Sequence, residues 1–204
     1  MTVVVVQLAG LAIFILGTVV LGVLLRRTPS LQRAESLSRV SHLLFWLELV
    51  FPWTVGVFFP GVGALGRITR LPAVPVPFAA RLIVGLPLLV AGVVLMQLSI
   101  KGLKREGQGA PALVLTRTLV DSGVYGAVRN PMALGFYIAL VGGALLTGST
   151  YVLVYTLGII AAHAFNLKYF EELELTIRYG ESYERYRSST PFLLPRWRSR
   201  NAKP

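Results

Sequence analysis

The stretch RNPMALGFYIALVGGALLTGSTYVLVYTLGIIAAHAFNLKYFEELE, residues 129–174, decides the fold. It contains two apolar runs, about 132–146 and 151–170, which are joined by the short polar sequence TGST. Apolar runs of this length predict membrane helices, and so short a connection predicts that the two helices lie antiparallel and side by side. The polar residues at the two ends of this helical hairpin are therefore predicted to lie at the same depth.

The residues at the start of the hairpin suit a bound anion. Arg129 precedes the first run, Asn130 stands at the N-cap position, and Pro131 fits the first helical turn, where its missing N–H costs nothing. The open N–H groups and positive dipole of such a helix start, together with a guanidinium group, favour a carboxylate or a phosphate.

Glu171 and Glu172, at the end of the hairpin, suit an ammonium group or ribose hydroxyls. A site with an anion pole and a cation pole under apolar helices fits the zwitterionic cofactor S-adenosylmethionine. The residues leave one alternative equally open. In it, Arg129 pairs with Glu171 or Glu172 and only holds the two ends of the hairpin together.

The composition of the chain is that of an integral membrane protein. Of 204 residues, 54% are hydrophobic and 14% are charged, and the mean hydropathy is +0.67. A soluble domain carries about a quarter charged residues. The lack of cysteine excludes disulfides, and with only two histidines we expect no metal site. The net charge of +11 indicates basic loops at an anionic membrane surface rather than nucleic-acid binding.

Three further apolar runs, 3–25, about 40–59 and about 80–100, raise the predicted number of spans to five. The first run lacks a basic segment before it and a small-residue cleavage site after it, so we expect a spanning helix rather than a signal peptide. The Gly- and Pro-rich segment 59–78 is predicted to be a loop. The predicted fold class is all-α, a polytopic membrane helix bundle of about five transmembrane helices with a C-terminal helical hairpin and a cytoplasmic amphipathic cap.

The basic residues predict the orientation of the bundle. Seventeen of the twenty lysines and arginines fall on one side of the predicted topology, and only Arg67, Arg70 and Arg81 fall on the other. Because positive residues are retained on the cytoplasmic side, the N-terminus is predicted to lie outside and the C-terminus inside. Both ends of the hairpin are then cytoplasmic.

Glu48 lies in the middle of the second predicted span, where a charged side chain costs roughly 2.5 kcal/mol or more. Such a residue is a candidate for contact with a substrate. The alternative is that Glu48 pairs with a polar group inside the bundle or is protonated.

The second helix of the hairpin carries a polar face. On a helical projection this face holds His163, Asn166, Phe170 and Glu174, with Glu171 close to it and Glu172 turned away. Polar side chains in an apolar span are expected to face the interior of the bundle. Contact with a ligand and hydrogen bonds between helices are both open for His163 and Asn166.

After the hairpin, Tyr179, Tyr183 and Tyr186 recur at helical spacing among Arg and Glu residues, with Gly180 between them. This pattern predicts a cytoplasmic amphipathic helix, and Trp197 after it is predicted to rest at the lipid headgroups. Such a helix forms a cap at the membrane surface, and it is also placed to act as a lid over a cofactor.

These residues resemble a family of integral-membrane methyltransferases, related to isoprenylcysteine carboxyl methyltransferase and the phospholipid N-methyltransferases. The family pattern is an Arg-His/Asn-Pro-x-Tyr-x-Gly start, an apolar hairpin, a Glu-Glu pair, an aromatic-Gly pair, two tyrosines three apart and a closing proline. Here it matches Arg129-Asn130-Pro131-Met132-Ala133-Leu134-Gly135, Glu171-Glu172, Leu175, Tyr179-Gly180, Tyr183, Tyr186 and Pro195. The upstream GQGAP and LVDSGVYGAVRNP also resemble the family, so the resemblance covers about 107–195.

The resemblance implies an enzyme that transfers a methyl group from S-adenosylmethionine to a lipophilic substrate entering from the bilayer. It divides the chain into an N-terminal three-span region, 1–106, and a C-terminal catalytic core, 107–204. Arg129 and Glu171 are the predicted catalytic residues. The predicted cofactor-binding residues are Tyr125, Arg129, Asn130, Pro131, His163, Asn166, Glu171 and Glu172, and the predicted substrate-facing residues are Ala133 and Glu48.

Two positions depart from the family pattern. Asn130 replaces a histidine, but asparagine is common in bacterial-looking relatives, so a bacterial inner membrane is the expected location. Ala133 replaces a tyrosine, which removes a hydroxyl and opens space at the substrate end of the site. A membrane reductase that uses NADPH, similar to the sterol reductases, and a non-catalytic membrane protein are the alternatives. The run Glu-Glu-x-x-Leu-x-x-x-aromatic-Gly favours the methyltransferases.

The identity of the methyl acceptor stays open at this point. An isoprenylcysteine-like carboxylate, an aminophospholipid and an isoprenoid or other hydrophobic acceptor all fit. A carboxylate needs no general base, whereas an amine or a hydroxyl needs one, and Glu171, Glu174, Glu48 and His163 are the candidates. The sequence shows no signal for an oligomer.

Overall fold

The computed structural model describes residues 1–58, 62–108 and 115–195, and their regular structure is helical. Residues 109–111 of the GQGAP motif and Trp197 lie outside the described residues. The elements are α1 (Thr2–Arg27), α2 (Leu31–Leu44), a first π-helical segment (Phe45–Val50), α3 (Phe51–Gly56), α4 (Val62–Thr69), α5 (Phe78–Arg105), α6 (Val124–Ala127), α7 (Pro131–Thr147), α8 (Thr150–Asn166), a second π-helical segment (Leu167–Glu171), α9 (Glu172–Tyr179) and α10 (Glu181–Ser189).

The all-α fold and the C-terminal hairpin are confirmed. Three helices in the described part of the chain are long and apolar enough to cross a membrane, namely Thr2–Arg27, Phe78–Arg105 and the continuous Thr150–Tyr179. The hairpin helix α7 is shorter and equally apolar. The second predicted span begins within α2 and continues through the first π-helical segment into α3. A count of five spans therefore stays a prediction.

The turn between α7 and α8 follows from its sequence. Gly148 ends α7 in the left-handed region, with φ of 65° and ψ of 16°, a conformation that glycine adopts without steric cost. Ser149 then begins α8, because its hydroxyl accepts a hydrogen bond from the N–H of Val152 at 3.3 Å. Two caps in succession reverse the chain, as the sequence TGST predicted.

Helices α5 and α7 pack closely through glycine. A Cβ atom added at Gly92 would lie 2.4 Å from the backbone nitrogen of Ala139, and one added at Gly142 would lie 2.5 Å from the nitrogen of Leu89. Backbone atoms cannot yield as a flexible side chain does, so these positions require glycine. The contact joins the N-terminal region to the C-terminal hairpin, and a domain boundary near residue 106 stays a prediction.

We expect Gly92→Ala to lower the free energy of unfolding by about 1–3 kcal/mol, because the added methyl overpacks the α5–α7 contact. Thermal unfolding of the purified protein in detergent measures the loss. Gly63→Ala is the matched control, because an added Cβ there meets only the end of the Arg67 side chain, at 3.8 Å. Equal melting temperatures for the two variants would contradict this description of the contact.

The sequence predicted that the whole segment 59–78 between the second and third apolar runs is a loop. This prediction is wrong for part of the segment. Helix α4 forms within it and buries Leu65 completely, and α4 packs against α8. The apolar contact outweighs the poor helix propensity of its glycines. Helix α5 also extends beyond the predicted span, to Arg105.

Arg81 and Arg26 lie at opposite ends of the hairpin. Arg81 donates to the carbonyl of Leu146 at 3.4 Å, beside the α7–α8 turn. At the far end of the bundle, Arg26 donates to the carbonyl of Tyr169 at 3.0 Å and lies over its ring. This separation agrees with the charge asymmetry of the sequence, and the orientation across the membrane stays a prediction.

Candidate functional site

A cavity of about 420 Å³ lies among α2, α5, α7, α8 and the C-terminal helices, at the end of the bundle opposite the α7–α8 turn. Its volume is in the range of sites that bind small molecules and cofactors. Charged and tyrosine side chains from α9 and α10 form one part of the wall, and apolar and aromatic side chains from the first π-helical segment, α5 and α7 form another. The hairpin, the N-terminal region and the cap all contribute to the wall.

Arg129 and Glu172 form a buried ion pair across the base of the hairpin. The guanidinium Nη2 lies 2.7 Å from Oε1 of Glu172, and the two side chains are only 7% and 8% exposed. Nη1 of Arg129 also donates to the carbonyl of Arg187, at 2.7 Å, and Lys168 lies 2.9 Å from the same carboxylate. Glu172 is not among the residues that line the cavity. Of the two carboxylates, it is Glu172 that holds the hairpin together.

Glu171 has a different environment from its neighbour. It lines the cavity, and its carboxylate takes part in no hydrogen bond or ion pair among the described residues. Glu174, one turn further on, also lines the cavity but is paired with Arg178 at 2.9 Å. The difference arises because adjacent residues project from different sides of a helix, so the carboxylates of Glu171 and Glu172 meet different neighbours. Glu171 is thus the unpaired anion of the cavity wall.

The start of α7 forms the opposite wall. Nε of Arg129 is buried and has no partner among the described residues, and Arg129 itself lines the cavity. Asn130 occupies the N-cap position and Pro131 the first helical position, as predicted. The Asn130 side chain does not cap α7, because its Nδ2 donates to the carbonyl of Phe192 at 3.1 Å. The first-turn N–H groups of α7 therefore have no side-chain cap and suit an anion.

These two walls fit the amino-acid part of S-adenosylmethionine. The cavity wall holds an unpaired carboxylate, Glu171, and the uncapped start of α7, beside which Arg129 has a buried guanidinium N–H without a partner among the described residues. The first feature suits an ammonium group and the other two suit a carboxylate. Of the two interpretations that the sequence left open, the ion pair is present between Arg129 and Glu172, and a role of Glu171 in cofactor binding stays a prediction.

Asn166 and His163 have different surroundings on the polar face of α8. Nδ2 of Asn166 donates to the hydroxyls of Thr18 and Ser41, at 3.0 Å each, and so joins α8 to α1 and α2. His163 lies deeper, with Nδ1 3.0 Å from the hydroxyl of Tyr137. Both residues line the cavity. Asn166 is committed to packing, while His163 also meets the apolar end of the cavity.

The tyrosines close the polar end of the cavity. The predicted single amphipathic helix is two helices, α9 and α10, which break at Gly180, where φ is 56°. The hydroxyl of Tyr186 donates to the carbonyl of Tyr125 at 2.7 Å, which fastens α10 to α6. Burial raises the pKa of Tyr125, Tyr183 and Tyr186, so all three phenols are neutral hydrogen-bonding groups.

The two predicted substrate-facing residues lie apart. Ala133 lines the cavity. Four residues later, on the same face of α7, comes Tyr137, whose hydroxyl bonds His163. Glu48 packs instead beside Gly10 of α1, since a Cβ added at Gly10 would lie 3.3 Å from its carboxylate oxygen. Among the described residues, Glu48 does not line the cavity, so the structure does not bring it together with the other predicted site residues.

The contribution of α2 was missed in the sequence. Ser38, Ser41, His42 and Phe45 all line the cavity. Their spacing of three and four residues is the signal that could have identified this face. Neither these residues nor any others in the described part of the chain form a group of three or more metal-ligating side chains.

Comparison with known proteins agrees with this arrangement. The family model for phospholipid methyltransferase matches residues 80–182, which is half of the chain and includes the walls built by α5 to α9. No curated protein and no solved structure matches the chain. The match confirms the resemblance drawn from the motifs of the hairpin and the cap. The chain belongs to the phospholipid methyltransferase family, the members of which are membrane methyltransferases that act on lipid-like substrates.

Proposed function

We propose that this protein transfers a methyl group from S-adenosylmethionine to a lipophilic acceptor within the membrane. The observation that carries the proposal is the pairing of opposite, unsatisfied groups across one cavity. These groups are the carboxylate of Glu171 and, from the start of α7, its uncapped first turn with Arg129, whose buried Nε has no partner among the described residues. A family match to methyltransferases supports the same cofactor.

Each wall has a role in holding the cofactor. Glu171 binds the α-ammonium group, and the first turn of α7 with Arg129 binds the α-carboxylate. Tyr179 and Tyr183, which line the same end of the cavity, supply flat surfaces and hydroxyls for the nucleoside part. When bound, the cofactor supplies an electrophilic methyl group on a sulfonium centre.

The remainder of the cavity serves the acceptor. Met96, Ile100 and Phe136 line its apolar part and exclude water, so that a nucleophile is less solvated than it would be in solution. Fixing the acceptor beside the methyl group supplies a further part of the rate enhancement. Arg129 and Glu172 keep the base of the hairpin rigid, which preserves the spacing between the two poles.

The acceptor enters from the bilayer between α2 and α5. Both helices line the cavity, yet they make no extensive contact with each other among the described residues. Exposed apolar side chains occur on the first π-helical segment, which follows α2, at Trp46 and Leu47, and on α5, at Val94 and Leu98. Such surfaces suit the acyl or prenyl chains of a lipid.

Methyl transfer is tested with cofactor that carries a labelled methyl group. We expect the purified protein, mixed with a membrane lipid extract, to move label into material that organic solvent extracts. Heat-inactivated protein is the control. If no label enters the organic phase and NADPH is oxidised instead, the chain is a reductase and the proposal is wrong.

A further inference from the structure

We propose that His42 is the general base of this site, and that the methyl acceptor therefore carries its proton on nitrogen, oxygen or sulfur. The inference rests on the proposed methyl transfer and adds the class of acceptor. His42 contributes to the cavity wall from α2, one of the two helices between which the acceptor is proposed to enter.

The hydrogen bonding of His42 fixes its tautomer. Nδ1 lies 2.8 Å from the backbone carbonyl of Ser38, one turn earlier in α2. A carbonyl only accepts, so Nδ1 carries the proton and Nε2 of the neutral ring has the lone pair. Since Nδ1 faces the backbone of α2, Nε2 is on the side of the ring turned away from it. Nε2 makes no hydrogen bond among the described residues.

His42 lies at the level where the two ends of the cavity meet. Its neighbour Ser41 bonds Asn166, and Phe45, one turn further along α2, stacks near His163 with ring centroids 4.3 Å apart. Asn166 stands about 4.5 Å along α8 from His163, at about 1.5 Å per residue, and the second π-helical segment separates Asn166 from Glu172. A base at this level is between the cofactor pole and the apolar acceptor end.

The other candidate bases are committed elsewhere. Glu174 is paired with Arg178, Glu171 is assigned to the cofactor ammonium, and Glu48 is not among the described residues that line the cavity. His163 is the remaining rival. Its Nδ1 bonds the hydroxyl of Tyr137, which can donate or accept, so that contact does not direct a lone pair into the cavity.

Methyl transfer to such an acceptor also removes one proton from it. The nucleophilic atom of the acceptor forms a bond to the methyl carbon while the carbon–sulfur bond breaks, and sulfur keeps that electron pair. The N–H, O–H or S–H bond of the acceptor breaks in the same process, and its proton moves to Nε2 of His42. The imidazolium later releases the proton to solvent. A carboxylate acceptor would have no proton to lose and no need of His42.

Several titratable and charged groups line the same cavity as His42 or lie on its helix. They are Glu174 and Arg178 from α9, Glu171 from the second π-helical segment, His163 from α8, and Glu35 and Arg39 on α2 itself. Helix α1 contributes no residue to the wall of the cavity among those described. Because these groups are present in both compared proteins, the difference between wild type and His42→Gln isolates the imidazole.

The test compares dodecanethiol, dodecylamine and dodecanoate as acceptors of one chain length. We expect wild type to methylate the thiol or the amine, with a kcat that rises as an imidazole loses its proton. We expect His42→Gln to lower that kcat a hundredfold or more and to abolish that rise, while the affinity for S-adenosylhomocysteine is unchanged. His163→Gln should retain the wild-type pH profile.

A second readout is independent of turnover. Nitrogen NMR of histidine-labelled protein should show His42 protonated at Nδ1, and protonation at Nε2 would overturn the proposal. A wild-type enzyme that methylates only dodecanoate, or an unchanged kcat in His42→Gln, would also overturn it. Failure of the wild type to bind S-adenosylhomocysteine would instead count against the proposed function itself, which keeps the two failures distinct.

Discussion

Glu171→Gln is expected to lower kcat/KM for S-adenosylmethionine about a hundredfold. The substitution keeps the size of the side chain and removes the charge that is proposed to bind the α-ammonium group of the cofactor. Loss of one partner of a buried, charge-assisted contact costs about 3 kcal/mol, which corresponds to that factor. Because Glu171 has no partner among the described residues, the variant should keep the thermal stability of the wild type.

Initial rates of methyl transfer at varied cofactor concentration measure this effect. Glu181→Gln is the matched control, because the Glu181 side chain is 94% exposed on α10 and its ion pair with Arg185 is solvated. The control should have wild-type kinetics. A Glu171→Gln enzyme with wild-type kcat/KM would show that Glu171 does not hold the cofactor.

Glu172→Gln is expected to lower the free energy of unfolding by about 3 kcal/mol. The substitution leaves Arg129, which is 7% exposed, as a buried charge without its carboxylate, and it also removes the partner of Lys168. The cost arises from the uncompensated guanidinium rather than from the lost attraction alone. Substitution of two adjacent glutamates is thus predicted to have different effects. Glu171→Gln weakens cofactor binding, and Glu172→Gln lowers stability.

Thermal unfolding in detergent, followed by circular dichroism, measures this loss. Glu35→Gln is the control, because the Glu35–Arg39 pair is solvent-exposed, with its charged atoms 4.0 Å apart, and is expected to contribute at most about 1 kcal/mol. If Glu172→Gln has the melting temperature of the wild type while Glu171→Gln is destabilised, the roles of the two carboxylates are reversed.

The periodicity and turn chemistry of the sequence were sufficient for the hairpin. Two apolar runs around TGST predicted antiparallel helices, and Gly148 and Ser149 provide the turn. The helical projection of α8 also placed His163, Asn166 and Glu171 on the cavity side and turned Glu172 away. These features depend on local geometry, which a sequence pattern represents well.

Features that depend on tertiary contacts were not predictable. Nothing in the sequence indicates the two π-helical segments, Phe45–Val50 and Leu167–Glu171. The Asn130 side chain binds the carbonyl of Phe192 instead of capping its own helix, because the segment after α10 folds back over it. The role of α2 was missed because its cavity-lining serines and histidine are separated along the chain from the family motifs.

The most direct test of the central claim is a calorimetric titration of the folded wild-type protein in detergent with S-adenosylhomocysteine, the product form of the cofactor. If the cavity binds the cofactor through Glu171, we expect saturable binding at one site per chain, lost in Glu171→Gln and retained in His42→Gln. A melting transition confirms that the wild-type protein is folded. Absence of any binding heat with such protein would contradict the proposal that the cavity binds S-adenosylmethionine.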